Sequence, residues 1–212
     1  MKPSQLHRPL ATCFLLVAGG LSQTPMTCTG ADAEGPTVPS VQPWRQFALD
    51  PESSGAWVVA GDLDGDGAVE TVSARNVDRN DVHYTSAAVA QRLDGSVLWR
   101  WGDPTVGRKK LHHDVACQIY DWDGDGCPEV VLCTEGFLVE LDGATGRARW
   151  SRRLQGAPVH PPVFRGSRLV VAASNSVVHV LAARGGSVLS WEAVPSRIVH
   201  EPALSGPLVL VA

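Results

Sequence analysis

DLDGDGAVE (62–70) and DWDGDGCPE (121–129) follow one pattern, with carboxylates at positions 1, 3, 5 and 9 and glycine at positions 4 and 6. Short runs rich in β-branched residues lead into and out of each copy, AWVVAGD (56–62) before the first and EVVLCT (129–134) after the second. Runs of that composition read as strands, so each pattern is a loop joining two strands. A tight turn that folds three aspartates about one point suits a hard cation taking six to eight oxygens, which is Ca²⁺; Mg²⁺ demands a tighter octahedral shell. The ligands expected are Asp62, Asp64, Asp66 and Glu70 with the carbonyl of Ala68, and Asp121, Asp123, Asp125 and Glu129 with the carbonyl of Cys127. An EF-hand begins the same way but needs a bidentate acid at position 12 and flanking helices. Position 12 here is Ser73 or Leu132. The alternative to calcium is a pair of aspartate-glycine hairpin turns that hold no metal.

Working outward, the surroundings of the loops repeat. LDGSVLWRW (93–101), LDGATGRARW (141–150) and AARGGSVLSW (182–191) close three units, and LHHDVACQIYD (111–121), PVHPPVFRGS (158–167) and IVHEPALSG (198–206) open three. No stretch after the N-terminal segment carries apolar residues at helical spacing. Four short strands per unit at a period of 40–50 residues describe propeller blades. The expected fold is all-β: a partial β-propeller of about three to four four-stranded antiparallel blades, over 55–102, 111–154 and 158–194, with an incomplete one from 198. Trp99, Trp150 and Trp191 are aligned on the fourth strands, where a large ring fills the gap between blades. The third unit has FRGSR (164–168) in place of an acidic loop, so the metal is expected to staple the first hairpins of blades one and two only. The apolar run LVLVA (208–212) leads to an expectation of self-association through open blade edges.

The first 33 residues are set apart from the fold. A basic start (Lys2, His7, Arg8), an apolar run LATCFLLVAGGL (10–21) and Ala31-Asp32-Ala33 have the layout of a secretory signal peptide. The run is short for a membrane span, and an uncleaved anchor is the alternative. The expected location is secreted, periplasmic or at the cell surface. Residues 34–54, rich in Pro, Ser and Gln, read as a linker or a partial strand. The rest carries Cys117, Cys127 and Cys133; the alternatives are a Cys117–Cys133 bridge and three buried or half-buried thiols. Net charge is −4 with no basic stripe, which argues against nucleic acid as a partner. RNVDRNDVH (75–83) is a polar insertion between two strands of blade one. It reads as a solvated loop, or as a sugar-binding loop in which Asn76, Asp78 and Arg79 bond hydroxyls or a uronate.

The two acidic loops resemble the calcium-binding repeats of FG-GAP/VCBS-type propellers. A longer series, Asp62 to Gly67, Tyr84-Thr85, Leu93 to Arg100, His113 and Tyr120 to Gly126, resembles the opening blades of bacterial rhamnogalacturonan lyases, polysaccharide lyase family eleven. The chain departs from that family at His113-Asp114-Val115, where the family has His-Tyr-Thr, and blade three looks more like metal-free quinone-protein-like repeats. The lyase resemblance implies β-elimination on a galacturonan, with a base removing the C5 proton. His113, Lys109 and Lys110 are then the catalytic candidates. A histidine recurs at the same place in later units, as His160 and His200, which favours a structural role. Two functions therefore stand side by side: a calcium-binding module or scaffold for an acidic polysaccharide or a surface protein, and a rhamnogalacturonan lyase or a truncated relative of one.

Overall fold

The computed structural model describes residues 45–79, 82–106, 111–112, 117–158, 160–205 and 208–211. Contacts divide the chain after Gln42; the expected signal segment and most of the expected linker lie outside the described residues.

The described residues form an all-β fold of successive antiparallel meanders. In the first sheet β1 (Trp57–Gly61), β2 (Glu70–Arg79), β3 (Val82–Arg92) and β4 (Val97–Gly102) lie in chain order, and a short β5 (Leu111–His112) pairs with β2. The second sheet is β6 (Cys117–Tyr120), β7 (Glu129–Thr134), β8 (Phe137–Asp142) and β9 (Ala148–Arg153), and the third is β10 (Val163–Arg165), β11 (Arg168–Ala172), β12 (Val177–Ala182) and β13 (Val188–Ala193). A two-stranded sheet of β14 (Ala203–Ser205) and β15 (Leu208–Leu210) follows. Leu111–His112, read from the sequence as the start of blade two, belongs instead to the sheet of blade one.

The blades stack through strands buried on both faces. In β7, Val130 and Leu132 pack with Val72, Ala74 and Ala90 of blade one, while Val131 and Cys133 pack with Leu169, Val171 and Leu181 of blade three. A middle strand covered on both sides must be apolar at every position rather than at alternate ones, and EVVLCT meets that demand. The same alternation separates the cysteines. Cys117 lies opposite Leu132, so the side chain of Cys133 projects from the other face. The two are buried free thiols in different cores, and the bridge considered from the sequence is not formed.

The tryptophans lock neighbouring blades. Trp99 is 7% exposed, donates its Nε1–H to the Gly143 carbonyl at 2.7 Å, and covers Gly146 so closely that a Cβ there would lie 2.5 Å from its ring. Trp150 covers Gly186 of blade three in the same way, at 2.4 Å. The third tryptophan departs from the expected series. Each fourth strand has one bulged residue, Leu98, Arg149 and Leu189, and the next residue is Trp99, Trp150 and then Ser190. Register therefore places Ser190 at the inter-blade position, and Trp191 is 53% exposed. Trp191 stands one residue further from the bulge than Trp99 and Trp150 do, so the alternation along the strand sends its ring to the other face.

Residues 45–54 contain no helix or strand, yet they are tied to blade one. The Asp50 amide donates to Gln91 Oε1 at 2.8 Å, Gln91 Nε2 reaches the Ala48 carbonyl at 3.3 Å, and Arg100 pairs with the Asp50 carboxylate. Phe47 stands beside Gly95, the blade-one counterpart of Gly146, with its Cβ 3.8 Å from where a Gly95 Cβ would lie.

Candidate metal centre

Both acidic loops are built by one device. The position-1 aspartate accepts the amides at positions 4 and 6: Asp62 from Gly65 and Gly67 at 2.8 and 2.9 Å, Asp121 from Gly124 and Gly126 at 2.7 and 3.1 Å. Positive φ at positions 4 and 6, +76° and +85° in the first loop, turns those amides inward and accounts for the glycines. The position-7 amides of Ala68 and Cys127 donate to Asp66 and Asp125 at 2.7 and 2.8 Å, which leaves their carbonyls as the groups they can offer a cation. Position 2, which the sequence reading passed over, is the anchor. Leu63 is fully buried between blades one and two, and Trp122 packs between blades two and three and donates to Glu140 Oε2 at 3.1 Å.

In the first loop the carboxylates of Asp62, Asp64 and Asp66 bring oxygens within 4.8 Å of one another. Glu70 closes the loop from the start of β2. It is fully buried; its Oε2 accepts the Leu63 amide at 3.0 Å, while Oε1 has no hydrogen-bond partner, and neither has the buried Asp64 Oδ1. Burial pushes the Glu70 carboxyl above its ordinary range; the Leu63 amide opposes this, and the neighbouring aspartates add to it. A buried anionic oxygen without a donor is costly, and a hard cation is the chemical complement of this set. The residues fit the group.

In the second loop Asp121, Asp123 and Glu129 form the cluster, and Asp125 stands outside it. Glu129 repeats Glu70: fully buried, with Oε2 accepting the Trp122 amide at 3.4 Å. Its Oε1, however, is bonded to the Arg149 guanidinium, which also lies 3.6 Å from Asp123 and 3.0 Å from Asp142. Burial pushes the Glu129 carboxyl up and Arg149 pulls it back. Glu140 nearby is pushed up to about 7, chiefly by burial. The two loops touch: a Cβ on Gly65 would lie 3.5 Å from Cys127 Sγ. The sequence reading missed Arg149, although its position three residues after the turn glycine Gly146 in LDGATGRARW, where blade one has Leu98, distinguishes blade two from blade one.

The other expected site residues are placed differently. Residues 75–79 and 82–83 are not a loop but the extension of the β2–β3 hairpin, with only 80–81 left between the strands and outside the described residues. Asn76 is fully buried, accepts the Thr85 hydroxyl at 2.9 Å and lies opposite His112 of β5. Its polar side chain serves the hairpin, and it has no surface to offer a sugar. Asp78 is half-buried on the same extension. The Arg79 side chain, Lys109, Lys110 and His113 lie outside the described residues.

No family model matches the chain, and no curated protein matches it. Among solved structures, it is similar to the computationally designed Ika4 protein (15% identity, TM-score 0.53, covering 78% of this chain and 91% of that one). It is also similar to BBS1N in complex with ARL6DN (15% identity, TM-score 0.52, covering 81% and 52%). BamB from Moraxella catarrhalis, a β-propeller, matches at 19% identity and TM-score 0.47, covering 73% and 44%. The chain thus spans about half the length of the BBS1N and BamB structures. The likenesses to Ika4 and BBS1N bear on the fold alone, and with the antiparallel sheets they define the class as an all-β, propeller-like protein.

Proposed function

We propose that this chain is a calcium-stapled propeller module that acts outside the cytoplasm as a binding or scaffold unit for an acidic polysaccharide or a surface protein. The observation that carries the calcium reading is Glu70, a fully buried carboxylate with one oxygen left without a donor beside three convergent aspartates. Asp62, Asp64, Asp66 and Glu70 would hold the ion in the first loop, and Asp121, Asp123 and Glu129 in the second. When bound, the cation neutralises carboxylates that would otherwise repel one another, and it joins β1 to β2 and β6 to β7. The role is structural, because the same loops position Leu63 and Trp122 between blades. Resemblance of the loops to FG-GAP/VCBS-type repeats supports this reading, and the apolar run at 10–21 supports export.

The test is a calcium titration by calorimetry with melting curves in chelator and in excess calcium. An ion bound only by the native state at 100 times its dissociation constant adds about 2.7 kcal/mol, so calcium is expected to raise the melting temperature and Asp64→Asn to abolish most of the rise. Absence of binding, or a melt indifferent to chelator, overturns the reading. The same preparation, assayed for release of unsaturated uronide from rhamnogalacturonan, is expected to be inactive; release would establish the lyase instead.

A further inference from the structure

We infer that Arg149 is a resident counter-cation of the second acidic loop, so that the two loops take calcium unequally: the first directly, the second only after Arg149 withdraws. This rests on the calcium reading of the loops and adds to it an intramolecular competitor.

The closing glutamates make the case. Glu70 and Glu129 are both fully buried and both bind the position-2 amide through Oε2. They differ at Oε1. That of Glu70 has no partner, whereas that of Glu129 is held by the guanidinium. The difference is written into the fourth strands. Arg149 occupies the bulge position of β9, and the matching position of β4 is Leu98, which has no charge to offer. Opposite the closing glutamate, blade two has Asp142, which holds the far side of the Arg149 guanidinium at 3.0 Å, and blade one has Arg92. Arg92 does approach its own loop, 3.4 Å from Asp64 Oδ2, but its side chain is 43% exposed and it leaves Asp64 Oδ1 and Glu70 Oε1 unpartnered. Arg184 of blade three adds a second guanidinium 4.0 Å from Asp123, although it is 89% exposed.

A guanidinium fork across two carboxylates is a strong, geometrically matched arrangement. A divalent ion entering the same cluster meets a full positive charge within a few ångströms, where Coulomb repulsion is large at the low effective dielectric of a half-buried site. To bind, it must displace Arg149 from Glu129 and Asp123. In the first loop the guanidinium of Arg92 touches only Asp64 Oδ2 from a half-exposed position, so Glu70 Oε1 and Asp64 Oδ1 can take the ion without its withdrawal.

Calcium titrations of the wild type, Arg149→Leu and Leu98→Arg, with stoichiometry from native mass spectrometry, test the inference. The wild type is expected to show one tight site and a second at least tenfold weaker, and Asp64→Asn to remove the tight one. Arg149→Leu gives the second loop the residue of the first and should bring both sites within about threefold. It should also lower the melting temperature in chelator and enlarge the rise on adding calcium, because Glu129 Oε1 then depends on the ion. Should Arg149→Leu fail to fold without calcium, Leu98→Arg decides, with an expected loss of at least tenfold at the first site. Two equal sites in the wild type, or a second site left weak by Arg149→Leu, overturn this inference alone. No calcium bound by any variant overturns the calcium reading together with it.

Discussion

Gly146 meets two separate demands. Its φ of +69° is one that side chains rarely adopt, and its missing Cβ makes room for Trp99. Gly166 has the first demand without the second, since its φ is +57° and nothing lies within 4 Å of a built Cβ. Gly166→Ala should therefore lower stability by roughly 1–2 kcal/mol, the left-handed backbone penalty. Gly146→Ala should cost more, about 2–5 kcal/mol, because overpacking a blade interface is added to that penalty. Denaturant unfolding of the two variants checks this, and equal losses would refute the lock. The acidic loops were legible at this scale because all their carboxylates fall within nine residues, where spacing alone brings them together. Arg149 was not, because it reaches Glu129 from twenty residues away across two strands. Trp191 was misaligned because the eye matches tryptophan to tryptophan; the flanking Ser-Val-Leu of 96–98 and 187–189 aligns Ser190 with Trp99.

Elements here are tied down by polar contacts as much as by apolar ones. The Asp50 carboxylate accepts the amides of Glu52 and Ser53 and pairs with Arg100, binding residues 45–54 to β4. The Arg100 hydrogen bond is the main cause that holds the Asp50 carboxyl below its ordinary value, against burial. A depressed folded-state pKa gives stability that is complete above the unfolded value of 3.8 and lost as pH falls through the lower folded value. Asp50→Ala should thus cost about 1–2 kcal/mol at pH 7, and the gap to the wild type should close under acid conditions below 3.8. Thermal melts across that range measure it, and a gap independent of pH would refute the assignment. Composition misled most in residues 75–83, which are polar and read as a loop. Hydrogen bonds such as Thr85 to Asn76, and pairing with β5, turn polar residues into buried structure that no hydrophobic period announces.

At the scale of the whole, the described residues form a row of sheets whose ends differ. At one end Phe47 stands over the turn glycine of blade one; at the other, β13 is exposed along its length, and Leu189, Leu208 and Leu210 are each more than half exposed. Apolar strands open to solvent invite pairing between chains. Light scattering at micromolar concentration should show self-association that Leu208→Lys with Leu210→Lys reduces; a wild type that stays monomeric would refute this. The meander was legible because turn, strand and glycine recur at a fixed period, and the chain order of strands in each sheet follows directly. Which blade covers which was not, since that depends on a ring in one blade meeting a glycine in the next. That arrangement has a direction. Trp99 is covered by a turn about 45 residues downstream, and Trp150 by one about 35 residues downstream, so each of these two rings is covered by the blade that follows its own. During synthesis the nascent chain would harden one blade behind the growing end, each tryptophan remaining wet until the following glycine turn emerges to dry it.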